Sequence, residues 1–479
     1  MLFNSIDFAI FLPVVFLLYW FATRGNFKIQ NILLLVASYF FYASWDYRFL
    51  FLLIFSTFLD YFTGIKIFEA KTRNMKRVWM WLSISINLGF LGLFKYFNFF
   101  TNSFADGLKL LGFHADFWTL QVILPVGISF YTFHGLSYVL DLYNNRIKPE
   151  RNFIDYSVFV SFFPLLVAGP IERATHLLPQ IIKKREFDYA NAVDGMQQIL
   201  WGLFKKVVVA DNCAPIVAQI FNNPADHSGS ELLLGVILFA FQIYGDFSGY
   251  SDIAIGTARL FGITLLRNFA YPYFARDIAE FWRRWHISLT TWFRDYLYIP
   301  IGGSRGGKWM AMRNTFIVFL VSGFWHGANW TFIVWGFLNA LYFLPLLLMN
   351  KNRLNIEIAA KGELLPSLKD LAGMVITFCL TLIAWVFFRS ESVSASLSFI
   401  QDIIDPSLLT LPNIKTHNLW VFILLLLIFE WIFREKQYGL QLNQVKMHVS
   451  LKWTLVMLLS LIIFIFGNFN KTEFIYFAF

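Results

Sequence analysis

Apolar runs of about 20 residues recur from one end of this 479-residue chain to the other. A hydrocarbon core of ~30 Å takes about 20 helical residues to cross, so such runs admit few folds other than a bundle of membrane helices. They are visible near 5–22, 30–46, 48–64, 78–97, 118–141, 154–170, 193–221, 231–258, 314–346, 371–389, 418–433 and 452–468. The expectation is an all-α polytopic membrane protein with about 10–12 transmembrane helices, the longer runs broken or paired into re-entrant and interfacial pieces. Composition agrees: 58% of residues are hydrophobic and 14% charged, against ~25% charged in ordinary soluble domains. A soluble enzyme, a disordered chain and a fibrous chain are all excluded.

The net charge of +9 reads as loop bias rather than as a nucleic-acid footprint. With the N-terminus outside, the first inner loops hold ten Lys and Arg: Arg24, Lys28, Lys66, Lys71, Arg73, Lys76, Arg77, Arg146, Lys148 and Arg151. The outer loops hold three, Arg48, Lys95 and Lys109. Positive charge stays on the cytoplasmic side, so this asymmetry predicts an outer N-terminus. Cys213 and Cys379 lie in apolar stretches and suggest neither a disulfide framework nor a metal site. Residues 5–22 lack a basic n-region, so a first span is expected there, with no cleavable signal.

Between Arg259 and Arg313 the chain carries many charges and ends in the glycine-rich turn Gly302–Gly307. Within this block, 280–298 has helical periodicity. Trp282, Trp285, Leu289, Trp292, Phe293 and Tyr296 share one face, and His286 falls among them. An interfacial helix accounts for the aromatics; it leaves a titratable ring among indoles unexplained. The stretch 314–350 contains no Asp, Glu, Lys or Arg. As one helix it would run ~56 Å, so the glycines flanking Trp325-His326 mark a bend. His326 is then ionisable at membrane depth, a costly placement that points to function. A neutral imidazole there suits general-base chemistry.

Other motifs carry less. Gly302–Lys308 fits G-x-x-x-x-G-K, but Trp309 replaces the magnesium-binding hydroxyl, so a basic turn near phosphate headgroups is the better reading. Asn329-Trp330-Thr331 sits in an apolar run, which makes its glycosylation pattern fortuitous. Asp246 and Asp252 place two carboxylates inside a span, where they bind substrate hydroxyls or, as the plainer expectation, pair with arginines of the charged block. Arg283, Trp325 and Asn329 are further substrate-binding candidates. The stretch 163–174 reads as a broken helix.

Four segments, WRRWHISLTTWFRDYLYIPIGG (282–303), FWHGANWTFIVWG (324–336), DFSGYSDIAIG (246–256) and FPLLVAGPIERA (163–174), resemble the signatures of membrane-bound O-acyltransferases. The opening MLFNSIDFAIFLPVVF and ILPVGISFYTFHGLSYVLDLY (123–143) are similar to the bacterial alginate O-acetyltransferase branch. The resemblance implies one membrane domain over 1–479 around a central tunnel, with N-terminal spans in 1–143, a catalytic core in 144–350, and further spans with an aromatic tail in 351–479. It assigns catalysis to His326, as the base, and to His286, which would orient or polarise the acyl carbonyl.

The implied reaction transfers an acyl group, acetyl above all, to hydroxyls of an exported, alginate-like polysaccharide. No permanently bound cofactor is implied; acetyl-CoA or another acyl thioester is the donor substrate. Implied partners are membrane lipid, the polysaccharide, and an SGNH-type extracytoplasmic acetyltransferase. The implied location is the bacterial inner membrane. D-alanyl transfer to teichoic acid and peptidoglycan O-acetylation are the neighbouring alternatives, and a polysaccharide or lipid transporter is the alternative of another class. Finally, F-x-Y-x-x-F at 474–479 resembles the tail of a small protein that accompanies the teichoic-acid transferase, which makes Tyr476 a candidate acyl relay beside the simpler role of interfacial anchor.

Overall fold

The computed structural model describes residues 1–113, 125–167, 169–470 and 474–475. Among them every regular element is helical, and six continuous helical stretches are long and apolar enough to cross a membrane. They are Phe27–Glu69, Arg73–Leu110, Gly229–Leu260, Trp330–Leu348, Leu368–Arg389 and Val449–Phe466, with shorter apolar helices at Ile6–Ala22 and Leu419–Ile432. Phe27–Glu69 runs 43 residues and turns through a short 3-10 segment at Tyr47–Phe49. The chain is a multi-pass helical membrane protein. Its spans show lipid-facing apolar side chains, such as Phe464 at 82% exposure.

The chain divides into two compact units. The first comprises Met1–Leu2, Ile6–Asp188 and Phe261–Leu265. Its helices start at side-chain caps where the sequence supplies them: Asn26 accepts from the backbone N–H of Lys28, and Asn152 from that of Ile154. Buried polar groups satisfy one another inside it. Asp60 accepts from Ser83 Oγ at 2.6 Å and Asn87 Nδ2 at 2.8 Å. Asn31 donates to Asp155 at 2.7 Å and accepts from Arg185 at 2.5 Å. The expected break in 163–174 is present: Phe163–Leu166 forms one helical turn, and a helix resumes at Ala174–Ile181. Here the Glu172 backbone N–H donates to His134 Nε2 at 3.1 Å, while its carboxylate holds His176 at 2.8 Å. The candidate span 118–141 begins outside the described residues; its later part is the helix Ile128–Tyr143.

The second unit comprises Phe3–Ser5, Tyr189–Leu260 and Leu266–Phe479, and it holds the charged block and both catalytic candidates. Its axis is the 32-residue helix Gly229–Leu260, packed along Tyr189–Leu203 and Asp211–Asn222. Small residues permit the contact: a Cβ on Gly202 would lie 2.6 Å from the Gly249 carbonyl oxygen, and one on Gly249 would lie 2.8 Å from that of Gly202.

The stretch 314–350 does not run as one helix. It belongs to a hairpin, Lys308–His326 and Trp330–Leu348, reversed at Gly327–Asn329. Each arm has 19 residues, about 28 Å and close to one hydrocarbon thickness. The arms approach so closely that a Cβ on Gly323 would meet the Phe332 carbonyl oxygen at 2.2 Å.

Candidate functional site

The reversal of that hairpin sets His326 at the last position of its first arm, 3% exposed. Among the described residues, three aromatic rings stand around the imidazole: Trp325 at 4.8 Å, Trp335 at 4.9 Å and Phe388 at 5.3 Å between centroids. Trp335 lies on the second arm and Phe388 on Leu368–Arg389, so three helices position one ring.

His286 arrives from the charged block. The 280–298 piece is not one helix; it divides into Ile278–Arg284 and Ile287–Phe293, with Trp285 extended and His286 left-handed at φ 44° between them. The cause is local pairing with an extended strip: Ala270 N–H donates to Arg284 O, and Ile287 N–H donates to Asn268 O. A non-glycine residue in this conformation costs about 1–3 kcal/mol, a strain that tends to mark functional positions. The predicted apolar face survives the break, with Trp282, Trp285, Leu289, Trp292 and Phe293 all buried.

The His286 ring is 1% exposed and lies edge-on to Phe247 at 4.7 Å. Trp325 stands 6.0 Å from it, so one indole packs against both imidazoles. His286 Nδ1 lies 3.0 Å from Asn268 Oδ1. Asn268 Oδ1 also accepts from Ser288 Oγ at 2.8 Å, and Asn268 Nδ2 donates to Ser251 Oγ at 3.0 Å. His286 Nε2 is buried and, among the described residues, has no hydrogen-bond partner. Burial alone pushes the His286 imidazole well below its ordinary pKa, which keeps it neutral.

Asp246, Asp252, Arg283 and Asn329 are engaged by other partners. Asp246 and Asp252 do not pair with arginines of the block. Lys206 Nζ sits 2.7 Å from Asp246 and 2.8 Å from Asp211, while Lys205 Nζ sits 2.6 Å from Asp252. Both lysines come from a π-helical segment, Phe204–Ala210, that hydropathy absorbs into an apolar run. The block's arginines are instead engaged nearby, Arg276 and Arg284 with Glu280 and Arg294 with Asp295. Arg283 donates to the backbone carbonyls of Asn352 and Asn355. Asn329 caps the second arm and donates to the Glu391 carbonyl. Of the substrate-binding candidates, Trp325 is the one placed against both histidines. Tyr476 lies outside the described residues, but Phe474 is fully buried against Tyr250 and Phe247, and the Ile475 N–H donates to Asp246 at 2.7 Å.

Asn268, Lys205, Lys206 and Glu430, which accepts from Tyr244 at 2.7 Å, were not singled out by sequence reasoning. Three of them are ionisable groups inside apolar runs, and that signal was available. Asn268 had none.

A profile of the membrane-bound O-acyltransferase family matches residues 145–362. A probable alginate O-acetylase of Pseudomonas syringae pv. tomato is 39% identical over 398 residues, 82% of this chain and 73% of the relative. The peptidoglycan O-acetyltransferase of Helicobacter pylori is 36% identical over 433 residues, 84% of this chain and 80% of the relative. A teichoic acid D-alanyltransferase of Bacillus subtilis is 30% identical over 232 residues, 46% of this chain and 58% of the relative.

Proposed function

Because the chain belongs to the membrane-bound O-acyltransferase family, we propose that it moves an acetyl group from a cytoplasmic thioester donor to hydroxyls of an exported, alginate-like polysaccharide. The observation that carries this reading is the pair of buried imidazoles, His326 and His286, gathered around Trp325. An alcohol is a weak nucleophile and needs a base within hydrogen-bond reach. His326 takes the hydroxyl proton as the oxygen–carbon bond forms; the carbon–sulfur bond breaks, and the departing thiolate receives that proton. A site this buried excludes water, which would otherwise hydrolyse the thioester.

Acetyl-CoA is the donor that fits this chemistry, its phosphates attracted by the exposed basic turn that includes Arg305 and Lys308. The enzyme lies in the bacterial inner membrane with its N-terminus outside, an orientation supported by ten inner against three outer basic residues in the first loops. An extracytoplasmic acetyltransferase partner receives or completes the transfer. Peptidoglycan O-acetylation is the second reading, favoured by the 36% identity to the Helicobacter pylori enzyme.

Tyr476 acts as an acyl relay, accepting the group as an aryl ester and presenting it outward. The seating of Phe474 and Ile475 within the second unit supports this, since it holds the two residues described just before Tyr476 against Tyr250 and Asp246. Mass spectrometry of envelope polymers tests the whole reading. Acetyl esters disappear on deletion of the gene, return with the wild type, and do not return with a well-expressed His326→Ala. Restoration by that variant refutes the assignment.

A further inference from the structure

The geometry points to Asn268 as the residue that places the proton on His286: it holds the ring as the Nδ1–H tautomer and leaves Nε2 a bare hydrogen-bond acceptor toward the reacting groups. This rests on the acyl-transfer reading for its purpose, not for its geometry. The orientation of the Asn268 amide is fixed by a group that can only donate. The backbone N–H of Ser288 points at the same atom at 3.4 Å, so that atom is the oxygen. The opposite end, Nδ2, donates to Ser251 Oγ. His286 Nδ1 therefore meets an oxygen that carries no hydrogen, and the contact exists only if the ring donates. A neutral imidazole has one N–H. It is spent on Asn268, and Nε2 is left with its lone pair.

What surrounds the ring keeps it in that state. The helix Gly229–Leu260 contributes Phe247, the extended strip contributes Phe269, and the hairpin contributes Trp325, with His326 beyond it. The charges closest in sequence are engaged elsewhere, Arg283 by the Asn352 and Asn355 carbonyls and Arg284 by Glu280, and on the helix that carries Phe247 Asp246 pairs with Lys206 and Asp252 with Lys205. A bare Nε2 cannot polarise an acyl carbonyl, because neither atom brings a hydrogen. It can hold a group that does, such as a hydroxyl of the acceptor or an amide N–H of the donor's arm. Asn268 is thus a positioning residue, and His286 recognises a hydrogen-bond donor.

The pH profile of Asn268→Asp tests this. Acetyl incorporation from labelled acetyl-CoA is followed with the full chain in proteoliposomes. A carboxylate beside Nδ1 stabilises the imidazolium, raises the ring's pKa and puts a hydrogen on Nε2 at low pH. The expected result is a new acid limb within about pH 5–8, activity falling about tenfold per pH unit below the raised pKa and recovering above it. Activity that rises as pH falls would show a donating, polarising ring and overturn the proposal; so would a profile identical to the wild type. Should that variant not fold, nitrogen NMR of histidine-labelled wild type reads the tautomer directly: Nδ1 protonated and Nε2 bare is expected, and the reverse refutes it. A wild type that shows this tautomer but transfers no acetyl group refutes the acyl-transfer reading instead.

Discussion

Replacing Gly323 by alanine displaces His326 without touching its chemistry. The new Cβ would lie 2.2 Å from the Phe332 carbonyl oxygen and 3.1 Å from its carbon. Ordinary contact begins at 3.4 Å, so the hairpin arms must part by about 1.2 Å. The obstacle is backbone and cannot rotate away. His326 stands three residues further along the same arm and draws its packing from Trp335 on the other. A misplacement of about 1 Å costs on the order of 10²-fold in rate, and overpacking adds about 1–3 kcal/mol of destabilisation. Acetyl incorporation from labelled acetyl-CoA in proteoliposomes should therefore fall about 100-fold in kcat, with the protein still inserted and folded. Gly89→Ala is the control, since a Cβ there meets nothing within 4 Å, and it should leave the rate unchanged. Near-wild-type turnover by Gly323→Ala would refute the argument that the hairpin contact sets the position of His326.

Tyr476→Phe keeps the aromatic ring and removes only the nucleophilic oxygen; polymer acylation is expected to be lost, and unchanged acylation assigns the residue to anchoring. Lys206→Met leaves the carboxylates of Asp211 and Asp246 buried without their shared cation, and should cost about 3–5 kcal/mol, read as a lowered Tm in detergent. Lys206→Arg should restore part of it. In the first unit, Glu172 raises the pKa of the half-buried His176 through a 2.8 Å contact. That interaction stabilises fully below about pH 6.5, the unfolded value, and fades as pH rises through the raised folded value. His176→Gln should therefore lower Tm at pH 6 more than at pH 9, and an equal loss at both would contradict this.

The membrane class and the break after His326 were legible because each rests on composition or local pattern, whereas the expected 10–12 crossings compare with six helical stretches long and apolar enough to span among the described residues. The excess of apolar length in 314–350 over one bilayer thickness forced a reversal, and of the two flanking glycines Gly327 located it, while Gly323 stays helical and serves the close contact between the arms. Helical periodicity in 280–298 identified the buried face but hid the break at His286. Two backbone bonds to 268–270 decide that break, and nothing in the periodicity reports them. The partners of Asp246 and Asp252 were misjudged for a related reason. Arginines dominate the neighbouring block, while Lys205 and Lys206 sit within a strongly apolar run whose average conceals them. Asn268 was invisible because its role is purely tertiary, set by what lies beside it at 251, 286 and 288.

The most direct test is acetyl transfer by the purified chain. Proteoliposomes containing wild type or His326→Ala are given labelled acetyl-CoA together with an alginate oligosaccharide and the extracytoplasmic partner. The wild type should move label from the thioester to polymer hydroxyls, and His326→Ala should do so about 10²–10⁴-fold more slowly with donor binding retained. Equal rates for the two proteins, or label that never leaves acetyl-CoA with the wild type, would contradict the account.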